Sequence, residues 1–156
     1  MLRGTQQNRE RIGRPRNTEV DAYLFIKENL KALGWDVRNP DRFSSGQVYT
    51  QNECLGHHEM QKYLKQEKPE NVIKLSESTF WIIEAKREHR QIEQAVSEAI
   101  DYAKKINQSE SIKVKIISGV AGNEGDSYFI KSRFFDGREF LPIKINGKEI
   151  SGLIPS

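Results

Sequence analysis

Apolar residues recur along this chain at two spacings, and the switch between them divides it into elements. Phe80-Trp81-Ile82-Ile83 is an unbroken apolar run that leads straight into Glu84-Ala85-Lys86. It holds no Gly or Pro and is rich in β-branched and aromatic residues, so it predicts a buried strand. Side chains alternate along a strand, which puts Glu84 and Lys86 on one face with Phe80 and Ile82. From His89 to Ile106 the spacing becomes helical. Ile92, Ala95, Val96, Ala99, Ile100, Ala103 and Ile106 form a wide apolar face, and its alanines allow close packing on a sheet. Gln91, Glu98 and Tyr102, spaced seven and four apart, align along one flank. Taken by themselves they read as the polar border of that face.

A second helix is predicted over about Glu19 to Leu33, capped by Thr18 and stopped by Gly34. Tyr23, Ile26, Leu30 and Leu33 supply its apolar face. Glu19 falls in line with Tyr23 and Leu30, whereas Glu28 points away. An acid on the inward face is a candidate functional group; the alternative is that Glu19 favours the helix N-terminus through the dipole.

Trp35-Asp36-Val37 predicts a short strand, broken by Asn39-Pro40. Residues 39–68 are the least regular part, with a short strand at Gln47–Thr50 and a short polar helix at His57–Gln66. Its weak apolar stripe is Met60, Tyr63 and Leu64. His57-His58-Glu59 suggests a metal, but adjacent helical residues point about 100° apart, so solvent exposure is the favoured reading. Pro69 to Leu75 predicts a strand that turns at Ser76-Glu77-Ser78 into the Phe80 strand, forming a hairpin. Ile112 to Val120 is a further buried strand. Tyr128-Phe129-Ile130 and Phe134-Phe135, with turns at Asp136-Gly137 and Asn146-Gly147, predict a β-meander over 127–150. No repeat or low-complexity tract is present. The expected class is α/β with a central mixed sheet.

Composition sharpens this in two places. The 156 residues suit one domain and include two Trp, five Tyr and seven Phe, which argues against global disorder. The net charge of +3 is unevenly spread. Residues 1–18 carry five Arg and one acid, or +4, leaving about −1 for the rest (3 − 4). Residues 1–17 are therefore expected to be a flexible basic arm, and residues 18–150 the folded domain. Gly13-Arg14-Pro15-Arg16 resembles an AT-hook core, making Arg14 and Arg16 candidate DNA contacts. Ile12 stands where that motif usually has Arg, and a solvated tail is the more ordinary reading. Cys54 is the single cysteine, which excludes an internal disulfide and a cysteine-based zinc site. No segment resembles a signal peptide or a membrane span of about 18 apolar residues. The expected location is the cytoplasm, with no membrane partner.

The candidate chemistry lies at the hairpin. Glu84 and Lys86 on their own are equally well read as an ion pair where a strand surfaces. Glu70 on the neighbouring strand changes that balance. Two converging carboxylates repel unless a cation lies between them. An oxygen-rich site of this kind suits Mg²⁺, which keeps several waters and takes one or two carboxylates plus a substrate phosphate. Such a metal acts as a Lewis acid and activates an attacking water. Lys86 can hold or deprotonate that water and offset phosphate charge. Its neighbouring carboxylates favour the charged ammonium, so electrostatic positioning stands beside general-base action. Glu19 can join through water. Phosphodiester hydrolysis uses these parts.

Pro69-Glu70, thirteen residues, then Glu84-Ala85-Lys86 resembles the PD-(D/E)xK nuclease signature. Ile83-Glu84-Ala85-Lys86 and the helix ending Ala99-Ile100-Asp101-Tyr102-Ala103 resemble the N-terminal nuclease-type domain of type I restriction enzyme R subunits. They also resemble the related domain that precedes N6-adenine DNA methyltransferases in restriction–modification proteins. The resemblance covers about residues 18–135 and is most specific over 69–103. It implies a restriction-endonuclease-like αβββαβ core with a central mixed sheet, plus a C-terminal antiparallel extension. It implies that Glu70, Glu84 and the Ala85 carbonyl bind Mg²⁺, with Mn²⁺ as a substitute, that Lys86 is the catalytic lysine, and that Glu19 is the first-helix acid. Gln91, Glu98 and Tyr102 become auxiliary residues, and Arg87 a further DNA contact. Two positions depart from the pattern. Glu70 replaces the more usual Asp, and Glu98 stands where many such nucleases have Gln, four residues before the helix Tyr. A carboxylate facing DNA repels phosphate unless it points away or Gln91 takes its role.

The expected function is a Mg²⁺-dependent DNA endonuclease domain of a restriction–modification system. Its partners would be DNA and methyltransferase, specificity or motor domains or subunits. No methyltransferase motif of the Asn-Pro-Pro-Tyr type is present, so the domain is expected to be the N-terminal part of a longer protein or to stand alone. The alternative is a non-cleaving DNA-binding or assembly module of the same fold.

Overall fold

The computed structural model describes residues 18–123, 125 and 127–156, leaving aside the side chains of residues 18–20, 54 and 55. The basic arm with Arg14 and Arg16, and the side chain of Glu19, therefore fall outside the described residues. In chain order the elements are α1 (Thr18–Ala32), β1 (Val48–Thr50), α2 (His58–Leu64), β2 (Asn71–Lys74) and β3 (Thr79–Lys86). They continue with α3 (Ile92–Ile106), β4 (Lys113–Asn123), β5 (Ser127–Phe135), β6 (Phe140–Pro142), β7 (Lys144–Ile145) and β8 (Lys148–Glu149). Short 3₁₀ turns precede α2 and α3.

Six strands form one sheet in the order β1-β2-β3-β4-β5-β6, and β7 pairs with β8 separately. Among the described strands of this sheet only the β3–β4 pair is parallel. A parallel pair needs a crossover, and α3 supplies it. The expected mixed-sheet α/β class is what the structure shows. The meander is divided: β5 and β6 extend the main sheet beyond β4, whereas the Asn146-Gly147 turn closes the small separate hairpin.

The alternation along β3 organises two cores. Phe80 and Ile82 face α3 and pack with Val72, Val96, Ala99, Ala103 and Ile117. Trp81 and Ile83 face the other way and pack with Ile26, Leu30, Trp35 and Val120. Phe80, Trp81, Ile82 and Ile83 are all buried, so an apolar run without alternation is the correct signature of this strand. The Trp81 indole N–H donates to Ser118 Oγ at 2.9 Å, and Ser118 Oγ lies 2.6 Å from Ser132 Oγ. The Trp81 indole N–H and the two serine hydroxyls enclosed in that core are thus partnered.

Two sequence expectations are corrected here. Tyr23 is not on the inward face of α1 but is 37% exposed, with Lys27 Nζ 5.8 Å from its ring centroid. Ile26 and Leu30 face inward as expected, and Ala22 takes the inward place given to Tyr23, its small side chain letting the helix approach the sheet. Trp35-Asp36-Val37 is not a strand. Gly34 takes φ +97°, and the Trp35 N–H closes the last turn of α1 by donating to Leu30 O at 3.0 Å. That donor cannot also enter a ladder. Trp35 anchors the chain end instead: its indole N–H donates to Ile154 O at 2.7 Å, and Leu153 is buried beside it. Packing therefore continues past residue 150.

His58 is exposed, as expected, but His57 is half-buried and caps α2, its Nδ1 accepting from the Met60 N–H at 3.3 Å. The expected helix start at His89 is a 3₁₀ turn, with α3 proper beginning at Ile92.

Gly119 sets how closely α3 approaches the sheet. It pairs with Glu84 in the β3–β4 register, and a Cβ there would lie 2.7 Å from Val96 N. Gly119→Ala is expected to push α3 off β4 and destabilise the fold by about 1–3 kcal/mol, read as a lower urea midpoint. An unchanged midpoint would show that α3 can shift without loss.

Candidate active site

β2 and β3 are antiparallel, and Asn71 opposes Ile83. Glu70, one residue before β2, therefore comes level with Glu84. The Glu70 N–H donates to Glu84 Oε2 at 2.6 Å, which ties the start of β2 to the end of β3. Both glutamates line an open cleft of about 360 Å³ together with Ala85, Lys86, Arg87, Gln91, Glu98 and Tyr102. Ala22 of α1 forms another part of the lining, and Gln51 and Lys68 the remainder. Most of the residues singled out in sequence thus share one cavity. Its walls are β3, the loop before β2, and the flank of α3.

The alternation along β3 explains the side chains in this cleft. Phe80 and Ile82 pack under α3, so Glu84 and Lys86 on the same face emerge beside Glu98 and Tyr102. Lys86 Nζ lies 2.9 Å from Glu98 Oε1. The other oxygen, Glu98 Oε2, accepts from Gln94 Nε2 at 3.0 Å. Gln91 caps the turn before α3, its side-chain oxygen accepting from the Glu88 N–H at 3.2 Å.

Electrostatics single out Glu84. It is only 5% exposed, and burial pushes its carboxyl up to about 8. The Glu70 N–H opposes that rise, the Glu70 and Glu98 carboxylates add to it, and Lys86 offsets it. Tyr102 is pushed up to about 12, by burial first and then by Glu84 and the other nearby acids. An acidic group with this surplus of neighbouring negative charge is stabilised by a cation.

The donors present fit a hard divalent ion. Glu84 and Glu70 are carboxylates on adjoining strand ends, the Ala85 carbonyl belongs to the same cleft segment, and the open mouth leaves room for water or phosphate ligands. Among the described residues no three His, Cys, Asp or Glu side chains are grouped to hold a metal ion. Two carboxylates and water are the ligand set that Mg²⁺ commonly accepts.

Lys68, Gln51 and Gln94 were not marked by sequence. Lys68 precedes Pro69-Glu70 and carried a signal in its position, two residues before an acid at a strand start. Gln51 comes from an irregular stretch with no periodicity to place it. Gln94 stands one helical turn before Glu98, a spacing that marks a possible partner.

Among the described residues no helix is long and apolar enough to cross a membrane. Comparison with protein-family profiles, curated proteins and solved structures finds no match to this chain.

The raised Glu84 carboxyl has a signed consequence for stability. The folded chain retains this proton up to about pH 8, whereas the ordinary value is 4.5. The folded state thus binds more protons across that interval, and stability falls as pH rises through it. Relative to Glu84→Gln, the wild type is expected to lose up to about 1.4 kcal/mol per pH unit between about pH 5 and about pH 8. Urea midpoints over that range check this; parallel profiles for the two proteins would show that Glu84 ionises as an ordinary carboxylate.

Proposed function

We propose that this domain is a Mg²⁺-dependent deoxyribonuclease of the PD-(D/E)xK type, serving a restriction–modification system. The observation that carries the reading is the joining of Glu70 to a buried Glu84, in one cleft with Lys86. It is supported by the element order α1-β1-β2-β3-α3-β4, with α2 inserted, which suits a restriction-endonuclease-like αβββαβ core. β5 and β6 then form the antiparallel extension.

In this reading each residue has a role set by its place. Glu70, Glu84 and the Ala85 carbonyl would hold the ion. When bound, Mg²⁺ supplies Lewis-acid polarisation of the phosphate and lowers the pKa of a water. Lys86 offsets phosphate charge and orients the attacking water. An ammonium has three donors, so one contact with Glu98 leaves two for substrate and water. Arg87, exposed at the cleft rim, grips a neighbouring phosphate. Tyr102 keeps its hydroxyl proton at neutral pH and can donate it in a hydrogen bond. Target selection and assembly would fall to methyltransferase, specificity or motor domains or subunits.

The test is supercoiled plasmid with Mg²⁺ or Mn²⁺. Wild type is expected to nick it, and Lys86→Ala to lose on the order of a hundredfold or more in rate. Equal nicking by both proteins would show that another nuclease is at work. DNA binding without nicking would favour the non-cleaving module. Arg87→Ala is expected to weaken DNA binding and lower the salt slope by about 1, measured by fluorescence anisotropy at several salt concentrations. An unchanged slope would remove Arg87 from the interface.

A further inference from the structure

Glu98 is the acid that appears misplaced in a cleft meant for phosphate. Its surroundings give it another use. One carboxylate oxygen meets Lys86 Nζ at 2.9 Å, and the other accepts from Gln94 Nε2 at 3.0 Å. Gln94, Glu98 and Tyr102 are successive i, i+4 positions on α3, so they stand on one stripe of a regular helix. Lys86 sits at the end of β3, where a long flexible side chain loses rotamer freedom only if something holds its end. Close contact of α3 with Gly119 brings that stripe to the strand.

We propose that Gln94 and Glu98 form a brace that positions Lys86, with the Glu98 carboxylate as its fixed counter-ion. Gln94 fixes the rotamer of Glu98, and Glu98 fixes the ammonium. The pairing also answers the repulsion expected of a carboxylate facing DNA. The charge of Glu98 is matched by Lys86, and the remaining Lys86 donors stay directed into the cleft. Gln94 and Glu98 are thus positioning residues acting through Lys86, with no substrate contact of their own. The catalytic consequence rests on the nuclease reading; the contact itself does not.

The experiment separates these two. Trace acetylation of the intact protein, mapped by mass spectrometry, reads the accessibility and nucleophilicity of each lysine without turnover. Lys86 is expected to label several-fold faster in Glu98→Ala, and faster to a lesser degree in Gln94→Ala. Lys62 and Lys104, which do not line the cleft, serve as internal references. Gln94 is exposed, so its replacement leaves the fold intact even where Glu98→Ala does not. Unchanged Lys86 labelling in both variants would overturn the brace, whatever the protein cleaves.

Kinetics then read the consequence. Glu98→Ala is expected to lower kcat at least about tenfold, as loss of positioning does, with KM for DNA unchanged or lower because a negative charge has gone. Glu98→Gln, which keeps the acceptor oxygen, is expected to recover part of kcat. A raised KM with unchanged kcat would overturn the positioning role and make Glu98 a substrate contact. Faster labelling in variants of a wild type that cleaves nothing would keep the contact and remove the nuclease reading.

Discussion

Burial of Glu84 is the constraint on which this structure depends. From Phe80 to Ile83 β3 is buried on both faces by large apolar side chains, and the residue that follows within the strand is a carboxylate at 5% exposure. Desolvation disfavours the charged form, and the available compensation is one backbone N–H from Glu70 and an ammonium two residues on. The same backbone hydrogen bond draws in a second carboxylate. The arrangement is costly as a structural feature and reasonable as a cation site.

The rest of the fold places groups around that acid. The hairpin sets Glu70 level with Glu84, and the period of two along β3 puts Lys86 on the same side. The crossover helix approaches closely at Gly119, which brings Glu98 and Tyr102 over the end of the strand. On the opposite layer α1 approaches through Ala22, a residue small enough to line the cleft without filling it. A site drawn from five separate chain segments thus takes its central groups from β3 and α3, which favours fixed geometry.

Much of this was legible in the residues. β3 and α3 have strong patterns, a continuous apolar run and a wide helical face, and both lie where those patterns put them. The hairpin followed from turn chemistry at Ser76-Glu77-Ser78. Tyr23 and Trp35 were misplaced for a common reason: their large apolar side chains suggested core or strand, and tertiary contacts decided otherwise. Tyr23 yielded the inward position to Ala22, and Trp35 gave its N–H to the end of α1. The contacts of Glu98 were not legible, since a helical flank fixes alignment but not which strand residue lies opposite. The roll and closeness of α3 depend on Gly119, a contact with no local signature. Gln51 and Lys68 came from the irregular stretch between residues 39 and 68, where no period exists to read.

The central claim is that Glu70 and Glu84 share a divalent cation. Crystals of the protein grown with Mn²⁺ at about pH 8, where Glu84 gives up its proton, test it directly through the anomalous signal. The account predicts a Mn²⁺ peak in the cleft, ligated by the Glu70 and Glu84 carboxylates and the Ala85 carbonyl. It also predicts that Glu84→Gln crystals grown alike lack it. A cleft free of anomalous density in the wild type, or a peak that survives Glu84→Gln, would contradict it.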